Sequence, residues 1–350
     1  AQQFERAKSF VERYKDHPAL LLWGVGNEME GFEDGDDPAV WRAVNEIGAM
    51  IKELDPHHPT MSVTTFVHGA RIEYLHNKSP GIDIHGVNAY GGARVVPERL
   101  RSGGGTKPFI LTEFGPPGFW ETGETEWGAP YEPTSTDKAE FYLDTYRQAI
   151  ESQQDIALGS YVFLWGNKME VTPTWFGMWL DDGSRLAAVD AMHEAWTGNP
   201  PADRAPEVGG LSISAGPTFD PGDTFEAKID VEDPEGRALR ARWEMRREVD
   251  ERPLGGDYRP YPVLIDNAVL ESDVTSAELR LPEEPGSYRL YYTVYDPAGN
   301  AATANYPVLV KGEAGKRFPI VVYEDGFEDR PWVPSGWMGG SEYLNLDGRW

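Results

Sequence analysis

The chain has 350 residues, 40% of them hydrophobic, which allows two or three domains with a sizeable core. Its 58 acidic residues against 32 basic ones give a formal net charge of -26, which excludes nucleic acid as a favoured partner because phosphates would be repelled. There is no cysteine, so disulfides, thiolate nucleophiles and cysteine-ligated metals are excluded. No run approaches the roughly 18 apolar residues of a membrane helix, so no membrane insertion is predicted.

Helix and strand patterns alternate over residues 1–199. The predicted strands are residues 20–26, 60–65, 82–88, 108–112 and 157–164, and the clearest helical patterns between and around them cover 4–14, 38–54, 135–153 and 185–196, with a short one near 71–75. Five successive βα units predict an α/β fold with a parallel sheet. A closed (β/α)₈ barrel, or TIM barrel, needs eight strands and about 250 residues. We therefore predict an incomplete barrel whose other three units lie before Ala1, with an open doubly wound sheet as the alternative; the barrel is favoured because several strand ends carry candidate site residues.

After a Pro-rich linker near residues 198–206 the hydrophobic period changes to two, and turns such as Asp220-Pro-Gly and Asp233-Pro-Glu-Gly separate the alternating segments. This pattern predicts an all-β, Ig-like sandwich over residues 205–312, without the cysteine pair of true immunoglobulin domains. Residues 317–350 are expected to be the start of a truncated β-rich domain. Because the chain begins without Met inside a helical pattern and ends abruptly, we expect it to be a fragment.

Two of the predicted parallel strands end in a carboxylate. Asn27 and Glu28 follow the apolar run of the first strand, and Glu113 follows the fourth. Strands of one parallel sheet finish at the same edge, so the two acids are expected to lie close together. Hydrolysis of a glycoside requires such a pair, one acid to protonate the leaving oxygen and one carboxylate to attack the sugar or activate water. Any soluble protein also has Glu residues at strand ends that take no part in catalysis. For Glu28 or Glu113 considered alone, this non-catalytic interpretation is the better one.

Several other side chains are candidates for binding substrate at this edge. Asn27 could hold a sugar hydroxyl, Tyr90 could donate a hydrogen bond to a carboxylate nucleophile, and His68 could line the cleft. Exposed Trp side chains stack on sugar rings, which makes Trp165 at the end of the fifth strand and Trp120 in the loop after the fourth candidates as well. Packing into the core is the alternative for each of these aromatic residues.

The segment Trp23-Gly-Val-Gly-Asn-Glu28 resembles the strand-four segment of clan A glycoside hydrolases, particularly family 2 TIM-barrel domains, and Leu111-Thr-Glu113-Phe-Gly resembles the strand-seven segment. The resemblance implies that Glu28 is the acid/base and Glu113 the nucleophile. Asn88-Ala-Tyr90 looks like the strand-six segment whose Tyr contacts the nucleophile, and Phe163-Leu-Trp165 like the strand-eight segment that lines the sugar subsite. Strands one to three of the family barrel have no counterpart in this chain.

From these observations we predict a retaining β-glycoside hydrolase that acts on a poly- or oligosaccharide. A transglycosylase on the same scaffold and a carbohydrate-binding protein without activity are the alternatives. A carbohydrate is the expected partner, no metal site and no cofactor are predicted, and the protein is expected to be secreted or periplasmic. The sugar, the linkage, the choice between internal and terminal cleavage, and the oligomeric state are not predicted.

Overall fold

A computed structural model describes residues 2–32, 34–249 and 260–312. Its contacts divide the chain into two compact units. The first, here the parallel-sheet unit, comprises residues 1–118, 139–164 and 191–199. The second, here the β-rich unit, comprises residues 119–138, 165–190 and the described residues from 200 to 312.

Five strands form the sheet of the parallel-sheet unit, and they follow one another in chain order. They are β1 (Trp23–Asn27), β2 (Thr60–Thr65), β3 (Ile84–Asn88), β4 (Phe109–Phe114) and β5 (Ala157–Val162). All neighbouring pairs are parallel. The predicted α/β sheet of five βα units is confirmed, with each strand starting or ending within a few residues of its predicted limits.

Five α-helices accompany these strands: α1 (Gln2–Tyr14), α2 (Pro38–Leu54), α3 (Val96–Ser102), α4 (Ser135–Ala149) and α5 (Ala187–Thr197). The start of α2 follows from its sequence, since the Asp37 side chain accepts a hydrogen bond from the Ala39 amide and Pro38 occupies the first turn. The predicted helix near 71–75 is a π-helix, Glu73–Lys78. Short 3₁₀ turns cover Ala93–Val95 and Glu151–Gln153, so the helix predicted to run to residue 153 ends its α-helical part at Ala149.

The middle of the sheet is buried and its two edges are not. Every residue of β2 and β3 is buried, whereas β1 and β5, at the edges of the described sheet, each have one buried residue among half-buried and exposed ones. Leu21 is 69% exposed, Leu158 58% and Tyr161 53%. The first strand therefore begins at Trp23 and not at residue 20 as predicted, and Leu21 of the predicted apolar run is exposed beside this edge strand.

From residue 205 to 312 the described residues form strands and no helix. The strands are β6 (Glu207–Val208), β7 (Ser212–Ile213), β8 (Thr218–Phe219), β9 (Thr224–Lys228), β10 (Val231–Glu232), β11 (Arg240–Arg247), β12 (Val269–Ser272), β13 (Ser276–Arg280), β14 (Gly286–Tyr295) and β15 (Ala301–Val310). They form two four-stranded sheets with the orders β11-β14-β15-β8 and β12-β13-β9-β7, and β10 pairs with β6. Trp243 and Leu290 of the first sheet share one core with Phe225 and Leu279 of the second.

The strands β9 and β13 alternate buried and exposed residues, as a sheet with one face toward a core requires. The Ig-like character of this part and the domain limits at 199, 205 and 312 stay predictions. The domain predicted over residues 317–350 lies outside the described residues. Among the helices that the structure describes, none has the length and hydropathy needed to cross a bilayer.

A buried polar network joins the loop 119–138 to the strands of the β-rich unit. The side chain of Glu132 is 1% exposed and pairs with that of Lys138, which is 6% exposed. Glu132 also accepts hydrogen bonds from Thr172 (2.6 Å), Thr174 (2.8 Å) and the Asn305 amide (2.6 Å). Burial alone raises the pKa of Glu132, but Lys138, Thr172 and Arg289 outweigh it, and the pKa lies below its usual range. The network is therefore a neutralised, hydrogen-bonded core element rather than an isolated buried charge.

Candidate active site

The carboxyl ends of β1, β3 and β4 carry the predicted acidic and amide side chains. Glu28 directly follows β1, Asn88 is the last residue of β3, and Glu113 is the next-to-last residue of β4. In the parallel register Asn88 lies opposite Glu113, and the Ala89 amide donates to the Glu113 carbonyl at 2.9 Å. These three positions therefore share one edge of the sheet.

Asn88 connects the end of β3 with the residues that follow β1. Its Nδ2 donates to Glu28 Oε1 at 2.8 Å and to Asn27 Oδ1 at 3.1 Å, while its Oδ1 accepts from the Thr112 hydroxyl at 2.8 Å. The Asn88 side chain is buried, at 4% exposure, so its direction is fixed by these partners. The structure thus brings together Asn27, Glu28 and Asn88 beside the strand that carries Glu113.

Glu28 occupies an unusual backbone and electrostatic environment. Its φ is 52°, the left-handed region that non-glycine residues seldom adopt, and its amide donates to the Val63 carbonyl at 3.0 Å. Burial raises the pKa of Glu28; the hydrogen bond from Asn88 acts in the opposite direction, Glu30 raises the pKa and Arg71 lowers it, and the net change is upward. A carboxyl group with a raised pKa stays protonated up to a higher pH, which suits a general acid.

Glu113 has a hydroxyl donor beside it. Tyr90, two residues beyond the end of β3, donates through its hydroxyl to Glu113 Oε2 at 2.8 Å. The Tyr90 ring stands edge-on to Phe163, with centroids 5.7 Å apart and planes at 88°. A hydrogen bond donated to a carboxylate favours its ionised form, so the two acids have different surroundings: Glu28 is partly desolvated and Glu113 receives a fixed donor.

The other predicted site residues lie in loops. His68 is on the turn after β2, half-buried, with its ring 6.2 Å from that of Phe66. In the β-rich unit, Trp165 is 53% exposed and stands edge-on to Trp179 at 4.3 Å. In the same unit Trp120 is 50% exposed and packs on Phe119 at 4.9 Å and on Phe176 at 6.2 Å. Their roles toward a sugar stay predictions.

Sequence analysis did not find a second polar group near Glu28. Arg71 and Glu30 form an ion pair with Nε–Oε1 at 2.9 Å, and their side chains are 0% and 3% exposed. Thr65, at the end of β2, donates its amide to the same Glu30 oxygen at 2.8 Å, and its hydroxyl oxygen lies 3.1 Å from that atom. Glu30 could have been found from the sequence because it is only two residues from Glu28. Arg71 lies 41 residues after Glu30, and no local sequence pattern indicates that it pairs with Glu30.

Two buried histidines, His76 and His85, are hydrogen-bonded to each other in the parallel-sheet unit. The amides of Thr106 and Lys107 donate to His76 Nδ1, so the His76 Nε2 proton points to His85 Nδ1 at 2.9 Å. His85 Nε2 then faces the Thr64 hydroxyl at 2.8 Å. Burial, with Lys107 nearby, lowers the pKa of His76 to about 4, and burial holds the pKa of His85 well below its usual range. Both rings are therefore neutral, structural groups at neutral pH.

The chemistry available at the edge is that of paired carboxylates. Within the described part of the chain no group of three or more His, Cys, Asp or Glu side chains is arranged to hold a metal ion. A protonated acid at Glu28 and an ionised carboxylate at Glu113 are the two forms that acid-assisted displacement at a sugar carbon requires. Asn27, Asn88 and Tyr90 add amide and hydroxyl groups that can bond sugar hydroxyls.

Comparison with known proteins finds a family model that matches the first part of the chain. Residues 1–157 match the family model described as Glycosyl hydrolases family 2, TIM barrel domain. The matched residues include Glu28, Asn88, Tyr90 and Glu113. The predicted resemblance to a family 2-like TIM-barrel domain is confirmed for this part of the chain.

The individual relatives cover short segments. A probable mannan endo-1,4-beta-mannosidase C of Aspergillus terreus (strain NIH 2624 / FGSC A1156) is 37% identical over 62 residues, 15% of this chain and 15% of the mannosidase. The structure of an exo-beta-agarase is similar over 45% of this chain and 22% of its own, with 16% identity and a TM-score of 0.34. The PKD domain of an M14-like peptidase from Thermoplasmatales archaeon SCGC AB-540-F20 is similar over 32% of this chain and 100% of its own, with 10% identity and a TM-score of 0.21. The chain thus spans less than a quarter of the mannosidase and of the agarase.

Proposed function

We propose that this chain provides the catalytic carboxylates of a retaining β-glycoside hydrolase that cleaves O-glycosidic bonds of a poly- or oligosaccharide. The observation that carries the proposal is the position of Asn88. Its side chain is hydrogen-bonded to Glu28, while its backbone lies opposite Glu113 in the neighbouring strand. Asn88 thus connects the strand ends that carry the two acids, and we expect their carboxyl groups to lie about 5–5.5 Å apart, as retention requires.

The proposed reaction has two displacements. The Glu113 carboxylate attacks the anomeric carbon, the bond to the leaving oxygen breaks, and Glu28 gives that oxygen its proton. A covalent glycosyl-enzyme results. Glu28, now ionised, takes a proton from water, the water oxygen attacks the anomeric carbon, and Glu113 is released. Asn27 holds a sugar hydroxyl, Tyr90 orients the Glu113 carboxylate, and His68 contacts the sugar. Trp165 and Trp120 of the β-rich unit are proposed separately as surfaces on which a sugar ring stacks.

The exposed edges of the sheet support a further part of the proposal. Leu158 and Tyr161 of β5 and Leu21 beside β1 expose apolar surface at the two edges where further strands of a barrel would pair. We infer that three more βα units complete the sheet to eight strands. Size-exclusion chromatography of the 350-residue chain and of the complete gene product tests this, since association of the shorter chain alone is the expected result.

The test of the activity uses the complete gene product on a panel of aryl β-glycosides and β-1,4-mannan, the polymer being suggested by the name of a similar protein. Glu28→Gln and Glu113→Gln are compared with Glu98→Gln, an exposed acid on α3. We expect loss of activity by at least about 100-fold in the first two, the usual contribution of a positioned acid or base, and wild-type activity in the third. Full activity of either site variant would refute the proposal.

The stereochemistry and the competing reactions are measured separately. Proton NMR of the first product formed is expected to show the β anomer, whereas an α anomer would exclude the double displacement. An added sugar acceptor distinguishes hydrolysis from transfer, and binding without turnover would favour a carbohydrate-binding protein. Export is part of the proposal because a polymeric substrate lies outside the cell, and fractionation of the producing cells tests it.

A further inference from the structure

Arg71 has no exposed surface, and its guanidinium is used for hydrogen bonds to two loops of the parallel-sheet unit. Nε donates to Glu30 Oε1 at 2.9 Å, and Nη2 donates to the Gly31 carbonyl and to the Thr65 hydroxyl, both at 2.8 Å. Nη1 donates to the His68 carbonyl at 3.2 Å. The guanidinium therefore ties the segment after β1 to the turn after β2.

The segment after β1 is held at several points besides this one. The Thr65 hydroxyl donates to the Gly31 carbonyl at 2.9 Å, and the Ala70 amide donates to the Asp34 carbonyl at 2.9 Å. A methyl group added at Gly35 would lie 3.0 Å from Arg71 Cγ, so the backbone there packs directly on the arginine stem. Glu30, Gly31, Asp34 and Gly35 are thus each in contact with Thr65 or with the turn that contains Arg71.

This anchoring extends to Glu28 through the backbone. The Gly31 amide donates to the Glu28 carbonyl at 3.1 Å, which closes a turn that starts at Glu28. A non-glycine residue with φ near 52° is sparsely populated and persists where its surroundings hold it. The contacts of Gly31 with Arg71 and Thr65 supply that restraint at the far end of the turn.

The charges of the pair also act on Glu28 in opposite directions. Glu30 raises the pKa of Glu28 and Arg71 lowers it. With both partners present these influences partly offset each other, so the environment of Glu28 depends on the pair as a unit. Loss of either partner leaves the other buried and uncompensated.

We propose that Arg71, Glu30 and Thr65 are positioning residues for Glu28: they hold the turn 28–31 so that the acid points at the oxygen of the leaving group. The proposal rests on the proposed function of Glu28 as acid/base. A displacement of a catalytic group by about 1 Å can reduce the rate by about 100-fold. The expected effect therefore falls on the step in which Glu28 transfers a proton, and not on substrate binding in general.

Leaving groups of different acidity provide the test. A phenyl β-glycoside needs proton donation to its leaving oxygen, whereas a 2,4-dinitrophenyl β-glycoside of the same sugar does not. For Thr65→Val and Glu30→Gln in the complete gene product we expect kcat/KM for the phenyl substrate to fall by about 10- to 100-fold, with the dinitrophenyl substrate changed by less than about twofold. Thr65→Val retains the ion pair, so it reports on the turn even where Glu30→Gln folds poorly.

The matched control is Thr145→Val, another buried threonine of the same unit, whose hydroxyl has no hydrogen-bond partner within the described residues. It is expected to behave as wild type with both substrates. Equal losses on the two substrates, or no loss, would refute the positioning role while leaving the proposed function intact if Glu28→Gln shows the selective loss. If Glu28→Gln itself hydrolyses the phenyl substrate normally, the proposed function and the positioning role both fail.

Discussion

The ion pair between Glu132 and Lys138 allows a quantitative prediction about the β-rich unit. Glu132→Gln removes the negative charge and leaves the Lys138 ammonium, only 6% exposed, without a counter-ion. It also replaces a carboxylate oxygen that accepts from Asn305 at 2.6 Å. Breaking a buried pair by removing one partner destabilises a protein by about 3–5 kcal/mol.

For a unit of this size, 1 kcal/mol corresponds to about 2–4 °C in melting temperature. Glu132→Gln is therefore expected to lower the melting temperature by about 6 to 20 °C. Differential scanning calorimetry of the whole chain measures this shift. The control is Glu226→Gln, whose partner Lys228 is 63% exposed, and which should change stability by less than about 1 kcal/mol.

A second variant separates the charge from the packing. Glu132→Gln combined with Lys138→Met removes both charges and leaves no buried unpaired ion, so the double variant should recover most of the loss seen in Glu132→Gln. A decrease in melting temperature of less than about 2 °C for Glu132→Gln would refute the reasoning, because it corresponds to a loss of less than about 1 kcal/mol. So would a double variant that is no more stable than the single one.

Three further results are expected. Because burial raises the pKa of Glu28, its folded form loses stability as the pH rises through that pKa, so Glu28→Gln should melt higher than wild type at pH 7 and by a smaller margin at pH 4. Asn88→Ala removes a donor that lowers the pKa of Glu28, so the basic limb of the pH profile of kcat/KM should move to higher pH; an unchanged limb would contradict the role of Glu28 as acid. His76, with a pKa of about 4 against 6.5 for the free group, should make the protein less stable in urea as the pH falls from 6.5 toward 4, and His76→Gln, which cannot take up that proton, should lose less over the same interval.

The sequence was informative where a property repeats locally or marks the end of an element. The apolar runs placed five parallel strands in the right order, and the carboxylates that follow two of them lie at one edge of the sheet. The position of Leu21 was not predictable in this way, because an apolar run is equally compatible with a central strand and with an edge strand. Its exposure depends on what pairs with β1.

Contacts between segments that are far apart in the sequence could not be predicted from local sequence patterns. The Arg71–Glu30 pair spans 41 residues, and the Glu132–Asn305 hydrogen bond spans 173. The spacing of Arg and Glu residues along the sequence does not show whether a charged side chain is buried in an ion pair or exposed to solvent. The grouping of the loops 119–138 and 165–190 with the β-rich unit depends on contacts of this kind.

The left-handed backbone at Glu28 limits how a lineage of such chains can diverge. The proposed acid/base role requires a carboxylate at this position, although a non-glycine residue at φ 52° is strained. In a paralogue released from that selection, Gly or Asn relaxes the position, whereas Val or Ile adds a steric clash. A homologous sequence with Gly or Asn at this point and an otherwise intact scaffold would mark a descendant that lacks the proposed acid/base and has a less strained turn.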